Sequence, residues 1–99
     1  MPSVAVVWTP HARACLLKLY AFLAEKDADA ARRAMGLIQG RARLLAGFPN
    51  AGRPAADLEP EHRELLVPFG ASGYVLLYSY NPDSGVAVLA VRHQLEVDF

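Results

Sequence analysis

The hydrophobic and polar positions of the chain fall into three regimes. Val4-Ala5-Val6-Val7-Trp8 is a short, largely β-branched apolar run, which predicts a strand. Thr9 and Pro10 then offer a helix N-cap and a proline at the first helical position, where its missing N–H costs no hydrogen bond. From His11 to Lys26 the residues Ala12, Leu16, Leu19, Tyr20 and Leu23 recur at helical spacing, with Arg13 and Lys18 off the stripe. Asp27 and Asp29 can cap a second helix, whose stripe Ala31, Ala34, Leu37, Ile38, Ala42 and Leu45 runs until Gly47 offers a C-terminal stop. Two helices joined so closely form an antiparallel hairpin. Gly36 and Gly40 each cost about 1 kcal/mol relative to alanine in a helix interior, so their spacing predicts close approach of another backbone, that of the first helix.

Beyond the helices the period drops to two. Residues 48–61 carry Pro49, Gly52, Pro54 and Pro60, too many breakers for a regular element, and a connection this long is usually functional or mobile. Three strands follow at 62–69, 73–81 and 86–93, separated by Gly70-Ala71-Ser72 and Asn81-Pro82-Asp83-Ser84-Gly85. In the middle strand Tyr74, Leu76, Tyr78 and Tyr80 share one face and Val75, Leu77 and Ser79 the other, as expected of a central strand covered by helices. The order β-α-α-β-β-β is an α+β fold, a helical hairpin packed on an antiparallel sheet, with the first strand at the edge or beside the last. At 99 residues and 54% hydrophobic the chain fits one domain, 1–99.

Composition narrows the function classes. Ten basic and ten acidic residues cancel, which argues against gripping nucleic acid through a strong overall positive field. The charges are nevertheless uneven: Arg32, Arg33, Arg41, Arg43, Arg53 and Arg63 face only Asp57, Glu59 and Glu61 over 32–63, and Glu96 and Asp98 lie at the end. A basic face is therefore compatible with a neutral protein, although the helical arginines equally suit a solvated helix surface. Cys15 has no partner for a disulfide and sits in the apolar stretch Ala14-Cys15-Leu16-Leu17, so it reads as a buried helix position. No apolar run is long enough to span a membrane, and Met1-Pro2-Ser3-Val4 lacks the basic start of a secretory signal, so a cytoplasmic location and no membrane partner are expected. No His or Cys pair has metal-ligand spacing, and no metal, cofactor or small-molecule substrate is expected.

The ordered set Arg63-Glu-Leu-Leu-Val, Tyr74-Val-Leu-Leu-Tyr78 and Val86-Ala-Val-Leu-Ala-Val-Arg92-His93 resembles the sheet of RelE/ParE toxins, the plasmid-stabilisation type. Upstream, the Trp8-Thr9 strand end, the helical pair and the link Phe48-Pro49-x-x-Gly52-Arg53 are similar to that family in order and spacing, so the resemblance spans nearly the whole chain. It implies a growth-arresting toxin of a type II toxin–antitoxin system, held inactive by a cognate antitoxin.

Two branches of that family imply different chemistry. RelE-like members are ribosome-dependent ribonucleases acting on mRNA, and cleavage by a 2′-hydroxyl needs a proton acceptor, a proton donor and cations around the phosphate. Arg53, Arg63, Arg92 and His93 are the candidates for those roles, histidine being the side chain that changes charge near neutrality. Against this, no lysine follows Lys26, and a neutral chain is poorly matched to a site walled by RNA. ParE-like members act by binding DNA gyrase and need no catalytic group. That branch is favoured, with Arg53, Arg63 and Arg92 as target contacts.

Each residue also has a structural reading. Arg63 follows Glu59-Pro60-Glu61 and equally suits pairing with a carboxylate, and His93 equally suits a hydrogen-bonded sheet position. Arg92 and His93 are adjacent on one strand and must point to opposite faces. His11 and His62 read as surface residues, and the tyrosines and Trp8 as core. Antitoxin capture needs exposed apolar surface, for which the outer face of the first helix near Leu17 and Phe22 is the candidate.

Overall fold

The computed structural model describes residues 3–56 and 58–96. The proposed start-of-chain reading at Met1-Pro2 and the charges of Asp57 and Asp98 lie outside the described residues. Strand β1, Val6–Trp8, leads directly into α1, Pro10–Lys26. The Thr9 side chain accepts the Ala12 N–H at 3.1 Å, and its hydroxyl donates to the Val88 carbonyl at 2.9 Å, so one residue caps the helix and ties it to the sheet. Asp27 caps α2, Ala28–Leu44, accepting from the N–H groups of Asp29 and Ala30. The helix ends before Gly47 through a run of tight-turn bonds, Leu45 to Ala42, Ala46 to Arg43 and Gly47 to Leu44, so Gly47 closes the turn rather than capping the helix.

The sheet has five strands in the order β1-β5-β4-β3-β2, with β2 at Arg53–Pro54, β3 at His62–Phe69, β4 at Ser72–Asn81 and β5 at Gly85–His93. The three C-terminal strands are consecutive antiparallel neighbours, as expected. Two features differ from the sequence expectation. β1 pairs with β5 in parallel, making the sheet mixed, and the breaker-rich connection contributes two residues of edge strand. The first strand does lie at the edge beside the last, as expected; a three-residue run carries too little period to show that it runs parallel there, and a two-residue run too little to show a strand at all. Gly85, at φ +89°, lets the β4–β5 turn close against β1: a Cβ there would stand 2.6 Å from the Ala5 carbonyl oxygen.

The core lies between the hairpin and one face of the sheet. Ala12, Ala34, Ile38, Ala42 and Leu45 meet Leu65, Val67, Tyr74, Leu76, Tyr78, Val86, Val88 and Val91, with Trp8 and Tyr80 partly buried beside them. The helices do not sandwich β4. Leu77 and Ala90, facing the other way, form a small separate cluster with Ala55 from the segment after β2.

Several helical positions depart from their stripes. Ala12 is the one fully buried residue of α1; Tyr20 is 39% exposed, and Cys15 is half-buried, lining an open groove under the C-terminal part of α1. Leu37 is 46% exposed. Gly36 and Gly40 do not mark a close helix contact, since a Cβ added at either meets nothing within 4 Å. The hairpin packs through Ala31, Ala34, Ile38 and Ala42 instead.

Candidate functional site

Four of the singled-out side chains stand on β2, β3 and β5, and the sheet distributes them over two faces. Arg53 and Glu64 are cross-strand partners, with Arg53 Nε 3.3 Å from Glu64 Oε1. Arg92 reaches the other oxygen of the same carboxylate at 4.0 Å. This Arg53–Glu64–Arg92 row lies on the face away from the helices, because Glu64 pairs with Leu77 and Arg92 with Val75. Arg53 is the exposed member, its side chain 60% accessible. Arg92 is mostly enclosed and latches the C-terminal turn: its Nη1 donates to the carbonyls of His93 at 3.2 Å, Gln94 at 3.2 Å and Glu96 at 2.5 Å.

Arg63 points to the helix-side face, opposite Tyr78. It donates to the carbonyls of Gly52 at 2.6 Å and Asn50 at 3.5 Å, and among the described residues no carboxylate forms an ion pair with it. The Tyr78 hydroxyl completes this knot by donating to the Pro49 carbonyl at 2.8 Å and accepting the Gly52 N–H at 2.9 Å. Burial pushes the Tyr78 phenol above its ordinary range, partly offset by the Gly52 N–H and the Arg63 charge, so it stays protonated as a donor. Gly52 is required here: a Cβ would stand 2.6 Å from the Glu64 carbonyl oxygen and 2.8 Å from the Tyr78 ring. The Phe48-Pro49-x-x-Gly52-Arg53 link is thus held by hydrogen bonds to the sheet.

His93 also faces the helices, edge-on to Tyr74 with centroids 5.6 Å apart. Its Nδ1 accepts the Leu95 N–H at 3.1 Å, and its Nε2 is hydrogen-bonded to Ser72 Oγ at 3.0 Å. His93 therefore stands apart from the Arg53–Glu64–Arg92 row. His62 is half-buried, with Nδ1 enclosed and unpartnered, and not the surface residue expected. His11 is exposed, with Nε2 3.5 Å from Cys15 Sγ.

A concavity of about 680 Å³ runs between α1 and the ends of β4 and β5. Cys15, Lys18, Leu19, Phe22 and Leu23 form one wall at helical spacing, and Phe69, Tyr74, Val91 and His93 the other. Phe22, 59% exposed, is its lip, with Lys26 Nζ 4.4 Å from the ring centroid; Leu17 is exposed but outside the groove. Sequence reasoning missed Glu64, Ser72 and Tyr78 as partners of the chosen residues, because each acts across strands. Among the described residues no group of three or more His, Cys, Asp or Glu is arranged to hold a metal ion, and no helix is long and apolar enough to cross a membrane.

Residues 6–97 match the sequence model of the ParE toxin of type II toxin–antitoxin systems, parDE. The chain belongs to the ParE toxin family. Two relatives from Caulobacter vibrioides bear RelE names. This ParE-family chain is 44% identical to Toxin RelE3 over 87 residues, 88% of this chain and 90% of the relative. It is 35% identical to Toxin RelE1 over 79 residues, 80% and 81% of the two chains. Among solved structures, a chain of the chromosomal ParDE system from P. aeruginosa superposes with TM-score 0.75 at 20% identity, covering 92% of this chain and 96% of that one. A chain of the RelBE2 toxin–antitoxin complex from Mycobacterium tuberculosis gives 0.68 at 22% identity, covering 97% of both. These two likenesses show the fold alone, a helical hairpin on a mixed five-stranded sheet.

Proposed function

We propose that this ParE-family toxin arrests growth by binding DNA gyrase and is neutralised by a cognate antitoxin. The observation that carries this reading is the division of the four groups a ribonuclease would use. Arg53 and Arg92 share Glu64 on one face, while Arg63 and His93 face the helices and are engaged by Gly52, Asn50, Ser72 and Leu95. A phosphate cannot be met by all four from one side. A binding toxin needs no such convergence. Arg53, the most exposed of its row, leads the target contact, with Arg63 and Arg92 shaping the surface around it. The antitoxin docks on α1, its apolar side chains covering Phe22 and the groove, with Leu17 at the margin.

Inducing the toxin without its antitoxin tests the target. Blocked replication with intact mRNA is the expected outcome; rapid, ribosome-dependent mRNA cleavage overturns it. The RelE names of the two relatives favour a second reading, a ribosome-dependent endoribonuclease using Arg53, Arg63, Arg92 and His93. That reading fails if folded His93→Ala and Arg63→Ala variants keep full toxicity.

A further inference from the structure

We propose that Arg53 is a preset receptor for one carboxylate on the surface of its protein target, with Glu64 and Tyr78 as the residues that position it. This deepens the gyrase-binding reading and rests on it for the identity of the partner. Arg53 Nε meets Glu64 Oε1 at 3.3 Å, and among the described residues neither terminal nitrogen of the guanidinium is bonded. The Arg53 side chain is 60% accessible and that of Glu64 only 16%. An enclosed carboxylate thus holds the arginine by its Nε and leaves the Nη1–Nη2 end of the fork open.

The backbone beneath Arg53 is pinned on both sides. Before it, the Gly52 N–H donates to the Tyr78 hydroxyl at 2.9 Å and the Gly52 carbonyl accepts from Arg63 at 2.6 Å. After it, the Ala55 N–H donates to the His62 carbonyl at 3.0 Å. Side chain and stem are therefore set before a partner arrives, which lowers the ordering cost of the contact.

Charge and number decide the group that the fork takes. Arg63 and Arg92, the other arginines of the sheet, are turned to backbone carbonyls, so one open fork stands here. A nucleic-acid strand is gripped by several cations along its phosphates, and Glu64 beside this single cation repels it. One Asp or Glu side chain of a protein matches the planar fork with two parallel hydrogen bonds and needs no second cation.

The test titrates the fluorescently labelled full-length toxin with purified gyrase, with and without DNA. Arg53→Lys keeps the charge and loses the fork; it and Arg53→Ala should each weaken binding by roughly tenfold under both conditions. Glu64→Gln and Tyr78→Phe should each weaken binding severalfold, yet neither should weaken the Arg53→Ala protein further, because nothing is left to hold. Losses that add to that of Arg53→Ala mark a merely structural role and overturn the positioning. Arg53→Lys binding as tightly as the parent overturns the carboxylate receptor, as does a loss confined to the DNA-bound state, which assigns Arg53 to a phosphate. Arg53→Lys is a surface change and keeps the test decisive if Tyr78→Phe does not fold. Should the parent not bind gyrase, the gyrase reading fails by itself, and the inducer needed for growth arrest scores the same variants. Equal shifts for Arg53→Lys and Arg53→Ala then uphold the fork, and unchanged arrest by Arg53→Lys overturns it.

Discussion

The Tyr78 hydroxyl sits between Pro49 and Gly52, donating to one backbone and accepting from the other at 2.8 and 2.9 Å. One phenol thereby fixes the turn that presents Arg53. Tyr78→Phe leaves both backbone groups without that partner and should destabilise the fold by about 1–3 kcal/mol in urea denaturation. Gly52→Ala should cost at least as much, because its Cβ meets the Glu64 backbone and the Tyr78 ring. A Gly52→Ala protein as stable as the parent would contradict the close approach described here.

Tyr74 and Tyr78 are both raised above 10.0 by burial. Below pH 10 each is protonated in the folded and unfolded states alike and adds no pH dependence. As pH climbs past the unfolded value, the unfolded chain loses protons first, so stability falls through the window up to the folded values. Denaturation midpoints should decline above pH 10, and less steeply in the Tyr74→Phe, Tyr78→Phe double variant, measured relative to its own stability at neutral pH.

Arg92 holds three carbonyls of the C-terminal turn while also facing Glu64. A lysine ammonium keeps the charge but not the planar fork. Arg92→Lys should therefore accelerate hydrogen exchange at Gln94 and Glu96, leaving the centre of β4 protected. Unchanged exchange at those two amides would refute the latch.

Beyond the two-residue β2, the outer edge of β3 is guarded by chemistry. Pro68 lacks an N–H, and Arg41 donates twice to the Leu66 carbonyl, at 3.2 and 3.0 Å. Arg41→Ala should cost about 1 kcal/mol and, by freeing the Leu66 carbonyl, promote strand-mediated association detectable by light scattering. A variant that stays monomeric at high concentration would count against this role.

Much of the architecture was legible because local signals agreed. The Thr9-Pro10 and Asp27 caps, the helical stripes and the alternation of β3 to β5 all act within a few residues. What failed depended on partners distant in the chain. The parallel pairing of β1 was one such case, and the exposure of Tyr20 and Leu37 another. The site residues were named from their types, but Glu64, Ser72, Gly52 and Tyr78, which determine what Arg53, Arg92, His93 and Arg63 can do, are brought to them only across strands.

Adjacency alone dictates that Arg92 and His93 point to opposite sides of β5, since successive side chains on a strand alternate. Which side each takes is decided by the irregularity where β5 passes Leu77 and Tyr78: the register runs from Tyr78–Val88 to Leu77–Ala90, leaving Leu89 as the extra residue. Strict alternation from Val86 and Val88 would have turned Arg92 toward the helices. The bulge inserts one residue and inverts the order, so Val91 and His93 face the helices and Arg92 meets Glu64. In Val86-Ala-Val-Leu-Ala-Val91 every side chain is apolar, so the residues themselves do not mark where alternation breaks; only pairing with β4 does.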